Sequence, residues 1–258
     1  MIADVKWAVR HSDLVVEVVD SREPDLTRSR YFEGLASRLG KKLMIVINKG
    51  DLVPIDALKG WKAFFEREEG IPTVYIAATR HLGTKELRDR MKEVLRGSGV
   101  VAFIGYPKTG KSSIINALKG RHSAPTSSHP FSHGYTRGVS LFRIDNKLVA
   151  WDTPGVIPPD GNPLERAIRG ANPDLLEDPV KVAVALAERV TKYNPNAIKE
   201  AYGIDYTDFL DFLQKLAAKR GWFYKRDREP NIDEAAKAFI RDYHDGKIIY
   251  YVPPPRLE

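Results

Sequence analysis

The stretch Gly105-Tyr-Pro-Lys-Thr-Gly110-Lys111-Ser112 restricts what this chain can become more than any other. It has the G-x-x-x-x-G-K-[ST] spacing, and it lies between the apolar run VVAFIG (100–105) and the helical pattern SSIINALKG (112–120). A strand that turns through glycines into a helix gathers backbone N–H groups at the positive end of a helix dipole, which makes a cradle for phosphate. On that reading Tyr106, Pro107, Lys108, Thr109 and Gly110 wrap the phosphates, with Ser113 in the first helical turn. Lys111 reaches the β- and γ-phosphates and Ser112 ligates Mg²⁺.

The rest of the first half agrees with a strand-loop-helix unit of this kind. LVVEVVD (14–20), KLMIVIN (42–48), TVYIAA (73–78) and KLVAWD (147–152) are short runs rich in Val and Ile, and they alternate with helical patterns over 56–69 and 84–95. Such alternation predicts an α/β domain with a mostly parallel sheet and helices on both faces. VSLFRID and KLVAWD flank Asn146 and predict a hairpin at one sheet edge, and Gly120 is placed to close its helix. From about residue 175 the pattern is helical, as in VKVAVALAERV and DEAAKAFIRDYHDG. The reading is therefore a nucleotide-binding domain over 1–174, ending in a linker rich in Pro, Gly and Asn (157–174), and a helical domain over 175–258.

Asn48-Lys49-Gly50-Asp51 follows a strand of its own. An aspartate there can accept from N1–H and N2–H₂ of guanine, an edge that adenine lacks. Lys49 can lie along the base, and Asn48 can tie its loop to the phosphate loop. Ala77-Ala78 ends the next strand, where the Ala78 N–H can donate to guanine O6. The nucleotide is thus GTP or GDP rather than ATP. Asp152-Thr-Pro-Gly155 follows the last strand, as suits a carboxylate serving Mg²⁺ and a glycine N–H near the γ-phosphate. The polar, turn-rich SAPTSSHPFSHGYTRG (123–138) could be a plain linker, or a switch in which Thr136 closes over Mg²⁺ when the γ-phosphate is present.

Charge adds a partner class. The net charge is +7, and the first 174 residues hold 27 Lys and Arg against 20 Asp and Glu, whereas the remaining 84 hold 14 of each. A positive surface draws polyanions, RNA among them. Lys219, Arg220, Lys225, Arg226 and Arg228 surround Trp222, Phe223 and Tyr224, a mixture in which the rings are expected mostly in the core and the cations on phosphate. With no cysteine, disulfides and cysteine-ligated zinc are excluded, and no apolar run has the length of a membrane span, so a cytoplasmic protein is expected.

In Ras-like enzymes the phosphate loop comes before the guanine-reading motif, and here the order is reversed. In this the chain resembles the circularly permuted GTPases of the YlqF/RbgA family, through Asp20-Ser-Arg22-Glu-Pro24, Asn48-Lys49-Gly50-Asp51, Ala77-Ala78, GYPKTGKS, Thr136-Arg137 and DTPG. The resemblance spans nearly the whole chain. It implies a switch that hydrolyses GTP to GDP and binds ribosomal RNA, or a ribosomal subunit, during assembly of the large subunit. A non-ribosomal GTPase that regulates a protein partner and a nucleotide-gated RNA-binding module with negligible turnover stay open beside it. Val156 stands where Ras-like enzymes place a water-orienting glutamine, which implies slow intrinsic hydrolysis and an activating partner. His129 and His133 could substitute for it, or be solvated loop residues. Lys108 stands where relatives carry an asparagine associated with potassium, so a K⁺ requirement is not carried over.

Overall fold

In the computed structural model the described residues are 1–119, 139–156, 158, 161–226 and 228–256. The chain forms two compact units, Met1–Pro158 together with Pro253–Glu258, and Pro159–Val252.

The first unit is built on a six-stranded sheet. Its strands are β1 (Leu14–Asp20), β2 (Lys42–Asn48), β3 (Thr73–Tyr75), β4 (Gly99–Ile104), β5 (Ser140–Arg143) and β6 (Leu148–Asp152), in the order β3-β2-β1-β4-β6-β5. Every neighbouring pair is parallel except β5 with β6, the hairpin read from sequence. Central β1 buries all seven residues, as an uninterrupted Val-rich run should in a sheet covered on both sides. Leu14, Val16 and Val18 join one apolar cluster with Leu87 and Met91 of α4 (Thr84–Leu95) and Ile114, Ile115 and Leu118 of α5 (Lys111–Leu118). Val15 joins the cluster on the other face, with Val5 and Val9 of α1 (Ile2–Arg10) and Phe32 and Ala36 of α2 (Arg30–Arg38).

The chain runs outward through β1, β2 and β3, then crosses to β4 on the other side of β1. Such a reversal opens a crevice at the carboxyl ends of the strands. Asp20 and Asn48 are in register at the ends of β1 and β2. The loops after β1, β2, β3, β4 and β6 all leave this edge, and each carries one of the motifs read from sequence.

Two local expectations change and a third is untested. α1 and α2 were not predicted, because each is only nine residues long and α2 contains Gly34, so packing rather than propensity holds them. β3 ends at Tyr75 rather than Ala78, since Ala77 pairs antiparallel with Leu82 and turns the chain over. Gly120, the expected helix cap, lies outside the described residues.

The second unit packs α6 (Pro163–Ile168), α7 (Pro179–Tyr193), α8 (Ala197–Tyr202), α9 (Phe209–Lys219) and α10 (Ile232–His244). Their starts are written in the sequence: Asn162, Asp178, Asp208 and Asn231 each accept a backbone N–H of the first turn. Phe209, Phe212 and Phe239 form an edge-to-face and stacked core with Tyr202. The boundary falls at Pro158/Pro159, not at 174/175. The expected linker contains a capped helix whose Ala167 and Ile168 are buried, and the ring of His244 bonds the Ala167 carbonyl at 2.6 Å.

Candidate nucleotide site and basic hairpin

The phosphate loop takes the form its glycines allow. Gly105 and Gly110 adopt φ of 156° and 89°, and a Cβ on Gly110 would come within 2.2 Å of Asn48 Nδ2. Only glycine lets that backbone pass beneath the asparagine. Thr109 Oγ1 donates to the Tyr106 carbonyl at 3.0 Å, and both residues are buried. Lys108 has φ of 67° and is exposed at the tip. α5 starts at Lys111, directly after Gly110.

Lys111 and Ser112 line an open pocket of about 410 Å³ with Val139, Ser140, Asp152, Thr153, Pro154 and Gly155. Lys111 Nζ bonds Asp152 Oδ1 at 2.7 Å. Thr153 Oγ1 donates to the Phe103 carbonyl at 2.7 Å and pins the start of DTPG to β4, while a Cβ on Gly155 would lie 3.1 Å from Pro107 Cα. The two phosphate-side loops are therefore in backbone contact. Val156 is buried in the cluster with Val15 and Ile104 and takes no part in the pocket lining. Thr136, Arg137, His129 and His133 lie outside the described residues.

The base-side loops are tied by side chains. Asn48 Nδ2 donates to the Thr109 carbonyl at 3.0 Å, and its Oδ1 accepts from Ala78 N–H at 3.2 Å. One amide thus joins the loops after β2, β3 and β4. Ala78 N–H, expected to face O6, is engaged by Asn48. Ala77 is held by its bridge to Leu82. Lys49, with φ of 61°, carries its ammonium 2.7 Å from Asp20 Oδ2, and Ser21 Oγ holds the Lys49 carbonyl at 2.7 Å. Asp51 accepts from Arg80 Nε at 3.0 Å.

Asp20 and Arg22 were legible only as motif letters, and the structure gives them work. Arg22 is fully buried and grips Asp20 through Nε at 3.0 Å and Nη2 at 2.8 Å. Burial alone would raise the Asp20 carboxyl, but Arg22 and Lys49 beside it hold it well below the usual carboxylate range. The loop that follows is locked down by Asp20 N–H to Thr27 Oγ1 at 2.9 Å and Ser29 N–H to Glu17 Oε1 at 2.5 Å. Burial and the neighbouring Glu33 push Glu17 upward. No sequence pattern flagged Arg80; its place two residues beyond Ala78 was the available signal.

In the second unit, 222–226 and 228–231 form a small antiparallel pairing closed by Tyr224 N–H to Glu229 O at 2.9 Å and Asn231 N–H to Trp222 O at 2.9 Å. Lys225, Arg226 and Arg228 are exposed at its tip. The aromatic expectation is corrected here. Phe223 is 42% exposed, Trp222 is half-buried beneath the Arg220 guanidinium, and Tyr224 bonds Asp233 at 2.5 Å. Phe223 and Pro230 form an isolated antiparallel bridge.

Residues 100–213, which start at the phosphate half, match a family profile described as 50S ribosome-binding GTPase. The chain is 38% identical over 253 residues to the uncharacterized GTP-binding protein MJ1464 of Methanocaldococcus jannaschii, covering 96% of this chain and 65% of that protein. It is 31% identical over 257 residues to nucleolar GTP-binding protein 2 of Neurospora crassa, covering 96% of this chain and 40% of that one. YlqF of T. maritima, in its GDP-bound form, superposes with a TM-score of 0.67 at 25% identity over 98% of each chain. The chain has the circularly permuted GTPase fold of YlqF. That fold accounts for the reversed motif order: each loop serves the site from its place at the sheet edge, whatever the order of the strands along the chain. This chain spans 65% or less of the two curated relatives, so the YlqF-type fold stands apart from what those longer proteins do.

Proposed function

We propose that the protein binds GTP and GDP, hydrolyses GTP slowly on its own, and acts as a switch on ribosomal RNA or a ribosomal subunit. The observation that carries this reading is Asn48, whose amide joins the Asp51 loop and the Ala78 turn to the Thr109 carbonyl of the phosphate loop. A base held at Asp51 and phosphates held at Lys111 would then share one framework.

The residues present fit Mg²⁺. The Ser112 hydroxyl and the Asp152 carboxylate are hard oxygen donors on the wall of one pocket, and a magnesium ion held there would neutralise charge on the phosphates. Lys111, 2.7 Å from Asp152, is the positive charge that a bound phosphate would share with that carboxylate. The Gly155 backbone, packed against Pro107, would face the terminal phosphate, and Thr136 would close over the metal from the intervening loop. Because Val156 is buried, the side chain next to Gly155 cannot orient the attacking water, which supports slow turnover and completion of the site by a partner. Replacement of the asparagine by Lys108 makes potassium dispensable on this reading.

The match to a 50S ribosome-binding GTPase profile and the likeness to a nucleolar GTP-binding protein of Neurospora support a ribosomal target, and the exposed Lys225, Arg226 and Arg228 with Phe223 suit RNA phosphates and a stacked base. Among the described residues no helix is long and apolar enough to cross a membrane, and a cytoplasmic setting follows from the same target. Co-sedimentation with large and small ribosomal subunits tests the whole reading. Binding should favour the large subunit, fall steeply with salt, differ between a GTP analogue and GDP, and weaken when Lys225, Arg226 and Arg228 are neutralised. Nucleotide-independent binding, or none, would defeat it.

A further inference from the structure

We propose that the amino edge of the six-stranded sheet, at the opposite end of the strands from the nucleotide crevice, is a face that grips the phosphate backbone of duplex RNA. This rests on the ribosomal-RNA reading above and adds to it a contact made by the first unit.

Cations collect where the strands begin. Lys41 and Lys42 lead into β2, Arg96 follows α4, Lys119 follows α5, Arg143 ends β5 and Lys147 precedes β6. Backbone bonds fix their order along the edge: Lys42 N–H to the Asp13 carbonyl at 3.4 Å, Asp13 N–H to the Val100 carbonyl at 2.8 Å, and Gly99 N–H to the Lys147 carbonyl at 3.1 Å. Lys42 and Lys147 therefore stand three strand spacings apart, roughly 14 Å. Lys42 Nζ donates to the Val94 carbonyl at 2.7 Å, in the last turn of α4, which draws it toward Arg96. Lys119 Nζ lies 4.8 Å from the centre of the Phe142 ring, next to Arg143.

Three carboxylates share this edge, and each is already engaged. Asp13 accepts from Val100 N–H at 2.8 Å, Asp145 pairs with Lys92 at 2.6 Å and Glu93 with Arg90 at 2.7 Å. Among the described residues Arg96, Arg143 and Lys147 have no ion pair, and all three are exposed. A helix C-terminus attracts cations, which accounts for Lys42 and Arg96. Arg143 and Lys147 belong to the β5–β6 hairpin rather than to a helix end. Their uncompensated charge is what a polyanion would neutralise.

The chemistry of the edge selects the kind of polyanion. Single-stranded RNA is held by rings that stack on bases beside cations, whereas duplex RNA hides its base faces and presents phosphates and 2′-hydroxyls. Among the described residues the exposed Phe, Tyr and Trp side chains are Tyr31, which starts α2 next to Arg30, and Phe223 of the second unit. Neither lies at the strand starts, so the edge offers cations without a stacking ring and fits a duplex backbone. The seven residues of β1 separate it from the crevice by roughly 20 Å, so its charges can change without touching the nucleotide.

Fluorescence anisotropy with a labelled RNA duplex of about 16 base pairs, and with one of its strands alone, tests this. Arg96→Gln, Arg143→Gln and Lys147→Gln combined should weaken duplex binding about tenfold at low salt and flatten the slope of log affinity against log salt by about two to three. Single-strand affinity, GDP affinity and the unfolding midpoint should stay near wild type. A control with the same loss of charge, Lys59→Gln and Arg67→Gln on α3 (Ile55–Arg67) with Lys85→Gln on α4, should keep duplex binding. Wild-type duplex affinity and slope in the edge variant would overturn the inference and return the edge to another partner, such as an acidic protein. An equal loss in the control would overturn it too, since the field of the whole unit would then do the binding, as would a wild type that binds the single strand alone. A wild type that binds neither RNA would instead remove the ribosomal-RNA reading itself.

Discussion

The two halves of the candidate nucleotide site are held by different means. On the base side, side chains reach across loops: Asn48 to the Ala78 N–H and the Thr109 carbonyl, Lys49 to Asp20, Asp20 to the fully buried Arg22, and Arg80 to Asp51. On the phosphate side the form comes mostly from the backbone, through Gly105, Gly110 and Gly155, with Lys111 and Asp152 as the principal side-chain pair. Recognition of a base needs side-chain groups at defined positions, and the ion pairs of Asp20 and Asp51 fix such positions. Recognition of phosphate needs N–H groups, which any backbone owns once glycine lets it curve. The base side should therefore fail through lost side-chain partners and the phosphate side through added atoms.

Asp20→Asn tests the first half of that contrast and should have the largest effect. It strips Arg22 and Lys49 of their shared carboxylate inside the protein, a change that costs about 3–5 kcal/mol, measurable by urea unfolding. The pH dependence has a defined sign. The Asp20 carboxyl lies below its unfolded value of about 3.9, so its stabilisation is complete above that pH and is lost as pH falls below it. The asparagine variant should show a shallower acid limb. A loss under about 1 kcal/mol would mean that the buried pair is not what holds the base side.

Gly110→Ala strikes the joint between the halves. The new methyl meets Asn48 Nδ2 at 2.2 Å on a backbone with φ of 89°, and a destabilisation of about 1–3 kcal/mol is expected. Combined with Asn48→Ala, the two losses should fall short of additive because the groups touch. Additivity would show that the clash is relieved elsewhere.

Lys108→Asn has the smallest expected effect and sharpens the phosphate side. If the tethered ammonium stands in for a bound cation, wild-type GTP hydrolysis should run at nearly the same rate in potassium and sodium. The variant should slow in sodium and gain stimulation by potassium. Strong potassium activation of the wild type would return Lys108 to the solvent.

The contrast also explains what could be read before the fold was known. The glycine spacing of the phosphate loop and the Val-rich strands are local signals, and β1, β2, β4 and the β5–β6 hairpin appear where those signals put them. Asp20 finds Lys49 across 29 residues and Asp51 finds Arg80 across the same separation, and no periodicity encodes such pairings. The same limit applies to α6, a six-residue helix fixed by its cap and by His244 from far along the chain, which is why the unit boundary moved. Phe223 was misplaced for a related reason: its exposure depends on a hairpin closed by the backbone.

The ladder between β1 and β4 carries a consequence for how the site comes into being. It is the junction between β3-β2-β1, with the base-side motifs, and β4-β6-β5, with the phosphate-side motifs. Its four register pairs, Leu14 with Val101 through Glu17 with Ile104, join residues 87 positions apart. Closing so long a loop is entropically slow, and nothing on either side rewards it until the ladder forms. During folding each half-sheet can collect its own helices early, and the nucleotide crevice then arises in a single late event.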